Sequence, residues 1–172
     1  MSDSYILSRR ALLTAVTGLL IPRIAQASTL DLQVYTEKGT QHDLRDYTSD
    51  RPFLLNIWSQ WCAPCIKEMP QVNLLAKKVS IVGIAIMEGT SYDPETKEWE
   101  DFQRVRNQLD IGYPNVLMYK PERVLLQKEA PFKQIPTFIL CDKDGKITHW
   151  QQGSIELTDK KKELEQKIEE LF

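Results

Sequence analysis

Three observations predict an α/β domain. Two runs of strand length, Phe53-Leu54-Leu55-Asn56-Ile57-Trp58 and Val79 to Met87, are nearly continuous in apolar residues, as strands covered on both faces are. Other stretches place their apolar residues at helical spacing. Near the C-terminus, Asp142-Lys143-Asp144-Gly145 separates two extended runs as a hairpin turn does. The 172-residue chain shows no internal repeat, no low-complexity tract and no second domain.

Residues 1–27 stand apart from that pattern. Arg9-Arg10 precede an apolar segment, Ala11 to Ile21, and Ala25-Gln26-Ala27 follows as a small-x-small cleavage site. That is the layout of a bacterial export signal, with an apolar segment too short for a standard transmembrane span. Ser8-Arg9-Arg10-Ala11-Leu12-Leu13 also resembles the twin-arginine export motif, although ordinary signals carry paired arginines too. Cleavage after Ala27 leaves residues 28–172 as one domain large enough for a real core, in the periplasm; a retained membrane anchor is the alternative. The N-terminal segment holds Arg9, Arg10 and Arg23 against Asp3, so the remainder is more acidic than the whole chain's net charge of −2. Mild acidity with mixed charges points away from nucleic acid.

In order, Leu30-Asp31-Leu32-Gln33-Val34-Tyr35 alternates apolar and polar residues, as an edge strand does. Glu37-Lys38-Gly39-Thr40 is a turn, and a second short strand or loop runs through His42 to Leu44. Asp50-Arg51-Pro52 breaks the chain before the central strand Phe53–Trp58. A helix opened by Cys62 continues to about Lys78, with a bend expected at Pro70. The next buried strand is Val79 to Met87. After a loop, Asp93-Pro94 reads as an N-cap with proline at the first helical position, and Trp99, Phe102, Val105 and Leu109 form a core-facing stripe. Ile111-Gly112-Tyr113-Pro114 ends that helix; Val116 to Tyr119 is extended and Glu122 to Lys128 a short helix. Ile135-Pro136-Thr137-Phe138-Ile139-Leu140-Cys141 is a strand that starts on proline, paired through the hairpin with Ile147-Thr148-His149-Trp150. The last helix, Asp159 to Leu171, puts Leu164, Ile168 and Leu171 on one stripe and its charges in solvent.

The chemistry sits in Trp61-Cys62-Ala63-Pro64-Cys65, where a strand gives way to a helix. Two cysteines so spaced form a reversible dithiol/disulfide pair. Cys62 would lie at the helix N-terminus, where unpaired N–H groups and the helix dipole stabilise a thiolate. Cys65 follows one turn later. Cys62 is therefore the attacking sulfur and Cys65 the resolving one. Half of a zinc site is the bland alternative; it lacks a second cysteine pair, since only Cys141, His42 and His149 remain. Cys141, in an apolar run, reads as a buried, inert side chain. No metal and no non-protein cofactor is called for.

Strand, Trp-Cys-x-x-Cys, proline-containing helix, strand, helix, Ile-Pro-Thr strand, hairpin and closing helix together resemble the thioredoxin fold. More narrowly the chain resembles the exported TlpA/ResA-like thioredoxins of bacteria over about Leu30 to Phe172. The resemblance implies a central mixed β-sheet flanked by helices, with an added N-terminal hairpin and a central insertion around Glu88 to Trp99. It implies that Pro136 is cis and faces the dithiol, which would free the Ile135 backbone to pair with an extended substrate segment and keep metals off the two thiolates. It implies that Glu68, one turn beyond Cys65, exchanges a proton with that cysteine. Asn56 stands where plain thioredoxin keeps a buried aspartate, and asparagine cannot titrate. Trp61 would wall the substrate groove. The loop Ala130-Pro131-Phe132-Lys133-Gln134 departs from the branch's glycine-containing approach, so Phe132 and Lys133 offer contacts of this chain's own.

The function implied is a periplasmic thiol–disulfide oxidoreductase, a monomer that reduces disulfides in client proteins such as apocytochrome c or copper-site proteins. A membrane electron donor of the thiol-reductant type would re-reduce it. The rivals are a disulfide-forming oxidase or isomerase, separated only by reduction potential, and a copper-carrying protein with Cys62, Cys65 and a histidine as ligands.

Overall fold

The computed structural model describes residues 29–156 and 158–172, so the proposed export signal lies outside the described residues. Seven strands, β1 (Gln33–Tyr35), β2 (Gln41–Asp43), β3 (Phe53–Trp58), β4 (Ile81–Ile86), β5 (Asn115–Met118), β6 (Thr137–Cys141) and β7 (Ile147–Gln152), form one sheet in the order β2-β1-β5-β4-β3-β6-β7. β3, β4 and β5 run parallel, and the remaining pairings are antiparallel, so the sheet is mixed. Helices α1 (Ala63–Ala76), α2 (Lys97–Gln108), α3 (Lys120–Glu129) and α4 (Thr158–Leu171) flank it. No helix among the described residues is long and apolar enough to cross a membrane.

The period of two along the central strands splits the core into two layers. Leu54 and Trp58 of β3 pack with Cys65, Met69 and Val72 of α1, with the Trp99, Phe102 and Val105 stripe of α2, and with Leu164 and Ile168 of α4. Phe53, Leu55 and Ile57 face the other way, toward Leu126 of α3, Leu44 and Phe132. Both β3 and β4 are buried along their whole length, which is why neither shows alternation in its sequence.

Some expectations change. β1 is not an edge strand: β2 lies outside it and β5 inside, so its alternation reflects two different faces rather than a free rim. Helix α2 does not begin at Asp93-Pro94. Asp93 turns its carboxylate back on the Glu95 N–H (2.9 Å), while Thr96 is the N-cap, its hydroxyl accepting from the Trp99 N–H at 3.2 Å. β6 starts at Thr137, one residue past Pro136, because proline has no N–H for the ladder. α3 starts earlier than expected, at Lys120, with Pro121 in its first turn.

Gly83 of β4 is the backbone position this layer depends on. A Cβ there would stand 2.4 Å from Asn115 Oδ1 and 2.9 Å from the Tyr113 ring. Those two side chains hold buried polar bonds: Trp58 Nε1–H donates to Asn115 Oδ1 (2.8 Å), and Asn56 Nδ2–H donates to the Tyr113 hydroxyl (3.0 Å), which donates to Met69 Sδ (2.9 Å). Gly83→Ala should therefore cost about 1–3 kcal/mol in urea unfolding, through overpacking and displaced hydrogen bonds. An unchanged midpoint would show that the layer has slack.

Candidate active site

The end of β3 delivers Ser59, Gln60 and Trp61 into the start of α1, and Cys62 is the residue that caps the helix. Its backbone is extended (φ −90°, ψ 92°), and its Sγ accepts the Cys65 N–H at 3.3 Å, in place of the usual capping hydroxyl or carboxylate. Pro64 in the first turn lacks an N–H, which helical geometry would leave unpaired there in any case. The two sulfurs are joined as a disulfide, with Cα atoms 5.3 Å apart. Both cysteines are buried, Cys62 slightly less so at 5% exposure against 1% for Cys65.

Around the pair, β6 lies antiparallel to β3 with Thr137 opposite Ile57, which brings Pro136 to the sheet edge where β3 hands over to the dithiol. The Ile135–Pro136 bond is cis. The Pro136 carbonyl accepts the Gly153 N–H (2.7 Å), whereas no backbone hydrogen bond among the described residues uses Ile135. Trp61 is 55% exposed and lines an open groove with Gln60, Glu88, Glu98, Asp101 and Arg104, the last four supplied by α2 and the loop before it.

Glu68, expected as the proton partner of Cys65, is a buried residue. It is 1% exposed, on the buried face of α1 three residues after Cys65. Its Oε2 accepts the Ser154 hydroxyl (2.7 Å) and the Ile155 N–H (2.9 Å), while Oε1 is buried without a partner. Burial pushes its carboxyl up from 4.5 to about 7, overcoming the lowering effect of those two bonds, and the nearby Glu156 carboxylate adds to the rise. Asn56 lies on the same side of the sheet, but it is tied to Tyr113 and carries no proton to give. Among the described residues no group of three His, Cys, Asp or Glu stands close enough to hold a metal ion.

With this geometry in view, the sequence matches the Redoxin family over residues 18–168. The chain belongs to that family. It is 28% identical over 143 residues to the thiol-disulfide oxidoreductase ResA of Geobacillus kaustophilus, covering 83% of this chain and 78% of that protein. It is 40% identical over 142 residues to the thiol:disulfide interchange protein DsbE-2 of Pasteurella multocida, covering 83% and 66%. Its fold is similar to that of the thioredoxin domain of a thiol-disulfide oxidoreductase from Bacteroides vulgatus, with a TM-score of 0.59 and 19% identity over 82% of this chain and 98% of that one. This Redoxin-family chain is thus a TlpA/ResA-like thiol–disulfide oxidoreductase with the thioredoxin fold, and Cys62 and Cys65 are its dithiol pair.

Three other residues of this Redoxin-family protein need placing. Cys141 is buried, on the sheet face away from the dithiol, and burial pushes its thiol up to about 12. Phe132, expected to offer client contacts, instead is 3% exposed and packs under the sheet with Leu126 and Ile139, where no client reaches it. Lys133 is exposed, with its backbone N–H on Gln152 Oε1 (3.0 Å). What sequence reasoning missed is the loop Gly153–Ile155. It meets Glu68 from 86 residues away, and nothing in its composition announces a partner for a carboxylate.

Proposed function

We propose that this oxidoreductase works as a protein-disulfide reductant in the periplasm, with residues 1–27 as a cleaved export signal and 28–172 as the working, monomeric domain. The observation that carries the reading is the capping sulfur of Cys62, held at the N-terminus of α1 by the Cys65 N–H and backed by a buried carboxyl that titrates near neutrality. In the reduced protein the same helix end favours a Cys62 thiolate.

The Cys62 thiolate attacks one sulfur of a client disulfide; the Cys62–client bond forms, the client S–S bond breaks, and the released client thiolate takes a proton from solvent. Cys65 then passes its proton to Glu68 and attacks Cys62 Sγ. The mixed disulfide breaks, the Cys62–Cys65 bond forms, and the second client thiolate leaves, to be protonated in turn. The client gains two electrons and two protons, and this chain is left oxidised. A membrane electron donor of the thiol-reductant type returns the two electrons. Ile135, beside the cis-proline, and Trp61 bind the client segment, strand to strand in the first case. Clients with paired cysteines awaiting haem or copper, as in apocytochrome c or copper-site proteins, fit this role.

Equilibration with glutathione, followed by mass, tests the direction. A potential on the order of −250 mV or lower supports a reductant, and a value near about −120 mV, the region of a dedicated oxidant, overturns it in favour of disulfide formation.

A further inference from the structure

The loop between β7 and α4 touches both halves of the site. Gly153, at φ +92°, gives its N–H to the Pro136 carbonyl, and the next two residues give the Ser154 hydroxyl and the Ile155 N–H to Glu68 Oε2. The Ser154 hydroxyl is itself oriented, since its oxygen accepts the Glu156 N–H at 3.1 Å. With that acceptor position filled, its hydrogen is free to point at the carboxylate. Two donors converge on Oε2, so the neutral acid carries its proton on Oε1, which is buried with no partner.

We propose that Ser154 is a positioning residue for the exchange reaction: its hydroxyl anchors Glu68 through Oε2 and so dedicates Oε1 to the proton that Cys65 gives up and regains. The inference rests on the proton role of Glu68 given above and adds what sets it. In the resolving step the Cys65 proton is held on Oε1 while the Cys65 thiolate attacks Cys62 Sγ and the client thiolate leaves. Other groups facing Glu68 are few. Glu156 of the same loop is engaged by Lys67 of α1 (2.9 Å), Tyr113 is held by Asn56, and Cys65, in the first turn of α1, is tied to Cys62 as a disulfide. Among the described residues no lysine or arginine contacts the carboxyl. The hydroxyl and one backbone N–H are therefore what stabilises the anion, and bonds to an ionised carboxylate are the strong ones.

The test uses the oxidised full-length protein, in which neither Cys62 nor Cys65 titrates. Carboxyl-labelled glutamate is followed by NMR against pH, with the Glu68 signal assigned by its loss in Glu68→Gln. Ser154→Ala should raise the Glu68 midpoint by about one pH unit or more, and Ser154→Thr should restore it. Ser154→Gly removes the same hydroxyl should the alanine variant fail to fold. A midpoint within about 0.2 pH units of the parent, or a threonine variant displaced as far as alanine, overturns the proposal. In the reduced protein, the pH inflection of the resolving step should move up with the midpoint in Ser154→Ala and show no further change when Glu68→Gln is already present. An unchanged pH profile in Glu68→Gln alone would instead overturn the proton role of Glu68. The NMR titration would then still decide whether Ser154 anchors it.

Discussion

Replacing Cys65 with serine is expected to arrest exchange at the mixed disulfide and to cut turnover by at least about 10³-fold. The reason is geometric. Cys62 and Cys65 are the N-cap and third residue of one helix, with Cα atoms 5.3 Å apart, so the resolving sulfur is always within reach of the bond it must break. A hydroxyl keeps nearly the same volume but cannot form a bond to sulfur under these conditions, and an outside thiol has no comparable effective concentration. The Cys65 N–H that holds Cys62 Sγ survives the substitution, so the first attack proceeds. Mixing reduced Cys65→Ser with a disulfide-bearing client should give a covalent one-to-one adduct by mass that dithiothreitol releases. Cys62→Ser should give none, because Cys65 is less accessible and lies inside the helix. Adducts from Cys62→Ser but not from Cys65→Ser would exchange the two roles, and parental turnover by Cys65→Ser would remove the two-step mechanism.

What the sequence made legible follows from how local each signal is. β3 and the Cys-x-x-Cys helix cap are written in a dozen consecutive residues, with apolar continuity, a break, then two cysteines one turn apart, and the structure keeps that order. The core-facing stripe of α2 was equally readable, because Trp99, Phe102 and Val105 share a period. Its start was not: Asp93 and Thr96 are both good caps, and the helix that opens at Thr96 is the one that sets Phe102 against Trp58 and Trp99 against Phe102. The neighbours of β1 were hidden for a different reason. Alternation reports which faces differ, but not which strands stand on either side. Glu68 was named through the family resemblance as the proton partner of Cys65, but its burial and its bonds were not legible, because a loop from the far end of the chain supplies them. Phe132 was misread, since an aromatic residue in a loop facing the site is equally able to turn under the sheet.

The buried carboxyl has a second consequence, for stability. The folded-state pKa of Glu68 lies at about 7, above its ordinary value of 4.5. Below the unfolded value both states hold the proton and the group costs nothing. Between the two values the folded protein holds a proton that the unfolded chain has lost. The carboxyl's favourable contribution is therefore complete at low pH and is lost as pH rises through about 7. The loss amounts to about 3 kcal/mol, because each unit of displacement is worth about 1.4 kcal/mol. Glu68→Gln cannot ionise, although its amide oxygen can still accept from Ser154 and Ile155. Urea unfolding of the oxidised proteins at pH 4.5, 7 and 8.5 should show the variant gaining on the parent by about that amount across the range, whatever its offset at the acidic end. A constant difference would mean that Glu68 titrates like a surface carboxylate and would take away its fitness as a proton partner. A rising one would mean that the chain keeps, at its working pH, a residue that weakens the fold. Such a residue makes sense where a thiol one helical turn away has a proton to exchange.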